Sequence, residues 1–168
     1  GGSVILAAPT VDNEGLIEAR LGTVAVGAGK TFAVDFDGDN LLNFAVTSPA
    51  TNAQIKNGGT IAADGGAVQI TARAAGDIVD NVINTTGIVE ANSVSIHNGT
   101  VVLDAGTNGG VTVSSQLSAA GTTAGTKGGT VQVLGNSVTV VAGLQVGQRV
   151  VTVGSTLIQD GTDTVVIP

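Results

Sequence analysis

Asn57-Gly58-Gly59-Thr60-Ile61-Ala62-Ala63-Asp64-Gly65-Gly66-Ala67-Val68-Gln69-Ile70-Thr71-Ala72 decides how this 168-residue chain is read. The stretch holds two alternating runs. Gly59, Ile61 and Ala63 share one side of an extended chain, and Gly66, Val68, Ile70 and Ala72 share one side of the next. A period of two specifies strand, and Asp64-Gly65 between the runs specifies a tight change of direction. Versions of both runs recur along the chain, so the stretch is one unit of a repeat.

Upstream, Gly2, Val4, Leu6 and Ala8 alternate, followed by Val11, Asn13, Gly15, Ile17 and Ala19. Gly22-Thr23-Val24-Ala25-Val26 repeats the first of these after twenty residues. Downstream, Asn84 and Gly87-Ile88-Val89-Glu90-Ala91 repeat the Asn-x-Gly-x-Ile-x-Ala theme with one residue inserted before the glycine. Gly129-Thr130-Val131 falls twenty residues after Gly109. A fixed spacing near twenty marks a solenoid. Two strand faces per spacing predict a parallel β-helix, because a single coil holds too few inward residues to bury a core alone. About seven coils at ~4.8 Å each would make a rod of roughly 30–35 Å. Asn13, Asn57 and Asn84 occupy one repeated position, either as an inward hydrogen-bonded ladder or as solvent-facing turn residues.

Residues 30–46 interrupt the repeat. Phe32, Val34 and Phe36 alternate, Leu42, Phe44 and Val46 alternate, and Asp37-Gly38-Asp39-Asn40 between them is a turn signal. The segment is predicted to be an inserted β-hairpin. It holds all three Phe of the chain, and these are expected to cover the flank of the solenoid. Residues 1–142 are therefore expected to be the solenoid with its hairpin. Residues 143–168 lose the repeat and read as a C-terminal β cap or edge-pairing segment, with a turn at Asp160-Gly161.

Composition narrows the function. Val, Ile, Leu and Ala supply the apolar content, Gly contributes 26 residues, and Trp, Tyr, Met and Cys are absent. Without an uninterrupted 3.6-residue apolar stripe, almost no helix is expected. Thirteen acidic against six basic residues give a net charge of -7, and the basic residues are scattered. Phosphate backbones need clustered Lys and Arg, so nucleic acid is not an expected partner. No apolar run approaches the ~18 residues of a spanning helix. The lack of Cys excludes disulfides and thiolate metal sites.

Several residue groups invite chemistry. Asp35, Asp37 and Asp39 with Gly38 and Asn40 suggest a calcium loop, but the glycine comes too early and Val46 stands where an EF-hand needs Glu. Asp77, Asp80 and Glu90 near Arg73 are candidate acid–base groups of a carbohydrate-active enzyme, although their spacing is loose and no aromatic residue lies nearby to stack on a sugar. His97 is the single histidine, with Ser95, Ser114, Ser115 and Asp104 as conceivable partners of a nucleophile. Gly125-Thr126-Lys127-Gly128-Gly129-Thr130 lacks P-loop spacing. The bland reading, solvated faces and turns, is preferred for each. No catalytic residue, metal or cofactor is expected. A ligand surface is sought first at Phe32, Asp37, Asp39 and Phe44 of the hairpin, and then at loop 121–127.

Residues 2–135 resemble the filamentous haemagglutinin family, the large exoproteins of bacterial two-partner secretion. The resemblance rests on Val4-x-Leu6-x-Ala8, Val11-x-Asn13-x-Gly15-x-Ile17-x-Ala19 and Gly22-Thr23-Val24, then the hairpin segment, then Asn57 to Gly66, in that order. It implies a right-handed parallel β-helix, located extracellularly or at the bacterial surface. It also implies export through an outer-membrane partner transporter, and work in adhesion or biofilm formation through a host or surface glycan or protein receptor. The Asn-Pro-Asn motifs that members carry upstream are absent, since Pro occurs only at 9, 49 and 168. Gly143-Leu144-x-x-Gly147-x-x-Val150-Val151 resembles the terminal strands of periplasmic efflux adaptors. The expected function is a non-enzymatic, adhesin-type rod. The alternatives are a carbohydrate-active enzyme on the same scaffold, or a recombined solenoid without activity. An uncapped end would also favour end-to-end or edge self-association.

Overall fold

The computed structural model describes residues 1–37, 41–76 and 79–141. Strands β1 (Ser3–Ala8), β2 (Thr10–Asn13) and β3 (Leu16–Glu18) belong to three different sheets, and β4 (Thr23–Ala28) returns to the sheet of β1. β5 (Thr31–Asp37) and β6 (Leu41–Ser48) pair antiparallel with each other. The three-sheet order then resumes through β7 (Gln54–Asn57), β8 (Thr60–Ala62), β9 (Ala67–Ala72), β10 (Val79–Thr85), β11 (Ile88–Glu90) and β12 (Thr100–Asp104). It continues through β13 (Gly109–Val113), β14 (Leu117–Ser118), β15 (Thr130–Leu134) and β16 (Ser137–Val140). The first sheet runs β1-β4-β9-β12-β15, the second β2-β7-β10-β13-β16 and the third β3-β8-β11-β14. Every pairing within these three sheets is parallel. No helix occurs among the described residues.

Two expectations about the repeat are corrected. Each circuit of the chain lays down three strands, not two. The second-sheet strand Gln54–Asn57 ends where the Asn57–Ala72 stretch begins, so that stretch contains only the other two. The spacing is also not fixed near twenty. Ser3 pairs with Thr23, but the later steps in the first sheet run from Thr23 to Ala67, to Thr100 and to Thr130. In the second sheet Ile55 pairs with Ile83 and Ile83 with Val111, a step of 28. Gly109 begins a strand of the second sheet while Gly129 leads into β15 of the first, so their twenty-residue separation reflects no stacking. The described residues form five levels rather than seven, which spans about 19 Å at ~4.8 Å per step.

The variation in length falls almost entirely at two of the three corners. From second to third sheet the chain turns at 14–15, 58–59, 86–87 and 114–116. The other corners absorb the hairpin and longer loops such as 91–99 and 119–129. Close approach explains the constancy. A Cβ on Gly59 would lie 2.0 Å from the Gly15 carbonyl oxygen, and one on Gly87 would lie 1.9 Å from that of Gly59. Glycine lets these levels meet that closely. Ser115 takes the next place and donates its hydroxyl to the Gly87 carbonyl oxygen.

Inward side chains stack in register. Val24, Val68 and Val101 form one buried row, and Val26, Ile70 and Leu103 form another. Ile55, Ile83 and Val111 line the second sheet, and Ile61 and Val89 the third. These rows meet in one apolar core. Burying each such side chain contributes roughly 1.5–3 kcal/mol. Both alternating runs of the opening stretch point inward as expected, with Ile61, Ala63, Val68, Ile70 and Ala72 buried. Gly65 between them has φ of 70°, and Gly66 N–H donates to the Ala63 carbonyl at 2.8 Å, closing the turn.

A polar ladder runs beside this core, and its third rung is corrected. Asn13 Nδ2 donates to Asn57 Oδ1 at 2.7 Å, and Asn57 Nδ2 donates to Thr85 Oγ1 at 3.2 Å. Asn13, Asn57 and Thr85 are all buried. Asn84 instead aligns with Lys56, one place off the ladder. The residue thought to be inserted before Gly87 is therefore an ordinary position, and Thr replaces Asn in the row. The predicted cap at 143–168 lies outside the described residues.

Candidate ligand surface

The hairpin β5–β6 leaves the stack at the corner between β4 and β7. Its cross-strand pairs put Phe32 opposite Val46, and Val34 opposite Phe44. Phe44 is 2% exposed and Phe32 half-buried, with ring centroids 6.0 Å apart and planes at 18°. The rings lie on Gly27 of β4. A Cβ there would come within 2.3 Å of Phe44 Cζ and 3.2 Å of Phe32 Cε1. Gln69 Nε2 of β9 donates to the Phe44 carbonyl at 3.0 Å and to Thr71 Oγ1 at 3.3 Å. Ala25 and Thr71 alternate with the core rows of the first sheet, yet both are buried. The hairpin thus covers the outer face of the first sheet at two levels, the flank-packing role its Phe pattern predicts. Phe44 is a packing residue with almost no surface to offer. Asp37 ends β5, where it pairs with Leu41, and Asp39 lies outside the described residues.

A groove of about 240 Å³ opens at the hairpin base, lined among others by Val46, Ser48, Pro49, Arg73, Ala105 and Thr107. Ligand pockets run to about 300–1,000 Å³, so this one is small. Its charged lining residue, Arg73, is already engaged. Arg73 Nη2 meets Asp104 Oδ2 at 2.6 Å, and Arg73 Nη1 donates to the carbonyls of Ala72 at 2.9 Å and Asp104 at 3.0 Å. Asp104 Oδ1 accepts Gly106 N–H at 2.8 Å. Chemically the groove can present hydroxyls and a guanidinium edge to a small polar group. The ion pair itself clips two adjacent levels together.

The other candidates are dispersed. Arg73 pairs with Asp104 and not with the carboxylates first considered beside it. Asp80 is exposed on β10 in the second sheet, and Glu90 on β11 in the third accepts Asn92 Nδ2 at 3.0 Å. Asp77 lies outside the described residues. His97 closes a tight turn with Val94 through N–H···O bonds of 2.9 and 3.0 Å, at the corner leading into the first sheet. Ser114 and Ser115 occupy the opposite corner, and Asp104 ends a first-sheet strand. Serine, histidine and aspartate are not brought together. Loop 121–127 is exposed, with a Thr123–Thr126 turn in which Thr126 Oγ1 donates to the Thr123 carbonyl at 2.6 Å. It follows β14, whereas the hairpin follows β4, so the two expected surfaces sit at different corners and levels.

Sequence reasoning missed the polar stitching between levels. Asp64 Oδ1 accepts Asn92 N–H at 2.9 Å, and Asn92 Oδ1 accepts Ser118 Oγ at 2.6 Å. The available signal was Asp64, just after an alternating run, and Asp104, at the end of one, each followed within two residues by Gly. No helix among the described residues is long and apolar enough to cross a membrane. Comparison of the chain with family models, with curated proteins and with solved structures found no match.

Proposed function

We propose that the three sheets close into a right-handed parallel β-helix and that the chain is a non-enzymatic, adhesin-type module of a secreted bacterial surface exoprotein. The carrying observation is the stack itself: three parallel sheets in repeated order around one aliphatic core, with a hairpin fixed on the outside by Phe32 and Phe44. Parallel crossovers are right-handed in about 98% of cases, which supports the handedness. The order of repeat, hairpin and repeat supports the filamentous haemagglutinin reading. On that reading the rod displays the hairpin, the 121–127 loop and the groove beside Arg73 to a glycan or protein receptor outside the cell. An outer-membrane transporter would be its export partner.

The test is a binding assay on glycan arrays and cell surfaces, with a hairpin-shortened variant alongside. Saturable binding that weakens when residues 33–45 are replaced by a Gly-Asn link is the expected result. Polysaccharide cleavage that disappears in Asp77→Asn or Asp80→Asn would replace this reading with a carbohydrate-active enzyme.

A further inference from the structure

Arg73 is engaged along one edge of its guanidinium and open along the other. A guanidinium carries five N–H donors. Nη1 donates to the carbonyls of Ala72 and Asp104, and Nη2 donates to Asp104 Oδ2. These bonds account for both Nη1 protons and one on Nη2. Nε–H and the remaining Nη2 proton have no partner among the described residues. Nε and Nη2 are neighbours on the side of the group, and such a pair suits a carboxylate that accepts through both oxygens. The side chain is 33% exposed, so solvent reaches it.

The open edge belongs to the groove at the hairpin base. Arg73 lines that groove and Asp104 does not, so the counter-ion stands behind the guanidinium and not in front of it. Gly106 keeps the approach clear. Its φ is 70°, and a Cβ there would lie 3.2 Å from Arg73 Cδ and 3.5 Å from Nε. Hydroxyls with spare capacity line the same groove. Ser48 Oγ has no hydrogen-bond partner among the described residues. Thr107 Oγ1 gives its proton to Asn108 Oδ1 at 3.2 Å and keeps lone pairs free to accept. Lys30 donates its backbone N–H to the Ser48 carbonyl at 2.9 Å, so a second cationic residue starts beside the groove.

We infer that this groove binds the carboxylate of an acidic sugar, a hexuronate being the simplest case. The inference names the ligand chemistry of the groove in the receptor-binding reading and rests on that reading. The carboxylate takes Nε–H and Nη2–H of Arg73, a ring hydroxyl donates to Thr107 Oγ1, and another meets Ser48 Oγ. A space of about 240 Å³ suits one ring and not a long segment. Two parallel donors match a planar group with two oxygens better than a sulfate or phosphate. The net charge of -7 also weighs against more highly charged ligands. Neutral sugars lack the acceptor for Arg73, and plain carboxylic acids lack the hydroxyls for Thr107 and Ser48.

The test titrates the isotope-labelled full chain with methyl glucuronide, methyl glucoside and acetate, followed by nuclear magnetic resonance. Methyl glucuronide is expected to bind saturably, with a Kd on the order of 1 mM for so small and open a groove, and to shift the Arg73 Nε–H and Gly106 N–H signals. Arg73→Lys keeps the charge and loses the paired donors, and should weaken binding at least about tenfold, the value of one charged hydrogen bond. Gly106→Asn tolerates the positive φ and lays a side chain over the open edge, so it should weaken binding while the melting temperature holds. Thr107→Val should weaken the glucuronide and leave acetate unchanged. Equal affinity for glucuronide and glucoside, or undiminished affinity in Arg73→Lys, would overturn the inference. Acetate binding as tightly as the glucuronide would overturn the sugar assignment. Array and cell binding that ignores both acidic sugars and Arg73→Lys overturns the inference and leaves the receptor reading standing. Glucuronide binding through Arg73 by a chain that attaches to no glycan array or cell supports the site and removes the receptor reading.

Discussion

Replacing Asn57 by Ala asks whether the buried polar ladder holds the levels together. Asn57 is 2% exposed. It accepts from Asn13 at 2.7 Å and donates to Thr85 Oγ1 at 3.2 Å and to the Ile88 carbonyl at 3.3 Å. Alanine removes all three bonds and leaves a space water cannot easily enter. Asn13 Nδ2 keeps the Gly15 carbonyl at 3.3 Å, and Thr85 keeps the Gly87 carbonyl at 2.9 Å, so neither is wholly orphaned. At about 1 kcal/mol per lost bond the cost is roughly 3 kcal/mol. The matched control is Asn84→Ala. Asn84 Oδ1 is buried without a hydrogen-bond partner among the described residues. Removing an unsatisfied group relieves a desolvation penalty, so this variant should be neutral or slightly more stable. Urea unfolding followed by far-ultraviolet circular dichroism separates the two through the midpoint at constant slope. Equal losses in both variants, or less than about 0.5 kcal/mol for Asn57→Ala, would refute the ladder as a stabilising element.

Three further outcomes follow from the same geometry. Gly87→Ala should destabilise by several kcal/mol in denaturant titration, because its Cβ would sit 1.9 Å from the Gly59 carbonyl and backbone must shift to admit it. Phe44→Ala should cost about 3–5 kcal/mol for the packing lost, and limited proteolysis should then cut within the hairpin while the stack resists. Arg73→Ala should cost only about 1 kcal/mol, since the Asp104 pair is partly exposed at 33% and 25%, and the loss should shrink further in high salt.

The Phe pattern of the hairpin shows how far local sequence reaches. Alternation of Phe32 and Val34 against Phe44 and Val46 specified two strands, and an aromatic cluster in an otherwise aliphatic chain specified a packing role. Period-two alternation also specified the inward faces of Asn57–Ala72, because the side-chain direction in a strand depends only on parity. The candidate sites were less legible. Whether two charged residues meet depends on which strands stack, and Arg73 reaches Asp104 across 31 positions. The Asn84 assignment slipped by one for a related reason. Sequence similarity favoured Asn in the row, whereas sheet register put Thr85 there.

By itself the sequence determined that the described residues form strands without helix, aliphatic-cored and punctuated by glycine. Those properties follow from side-chain volume, parity and backbone freedom, which act within a few residues. Only the tertiary structure decided that each circuit has three strands and that its length varies from 20 to 44 residues in the first sheet. It alone decided which glycines meet a carbonyl from the level before. Coil length is set by loops at two corners, which cost little to lengthen because loop-closure entropy grows slowly with size. The third corner varies by a single residue, because hydrogen bonds and backbone contact between levels hold it.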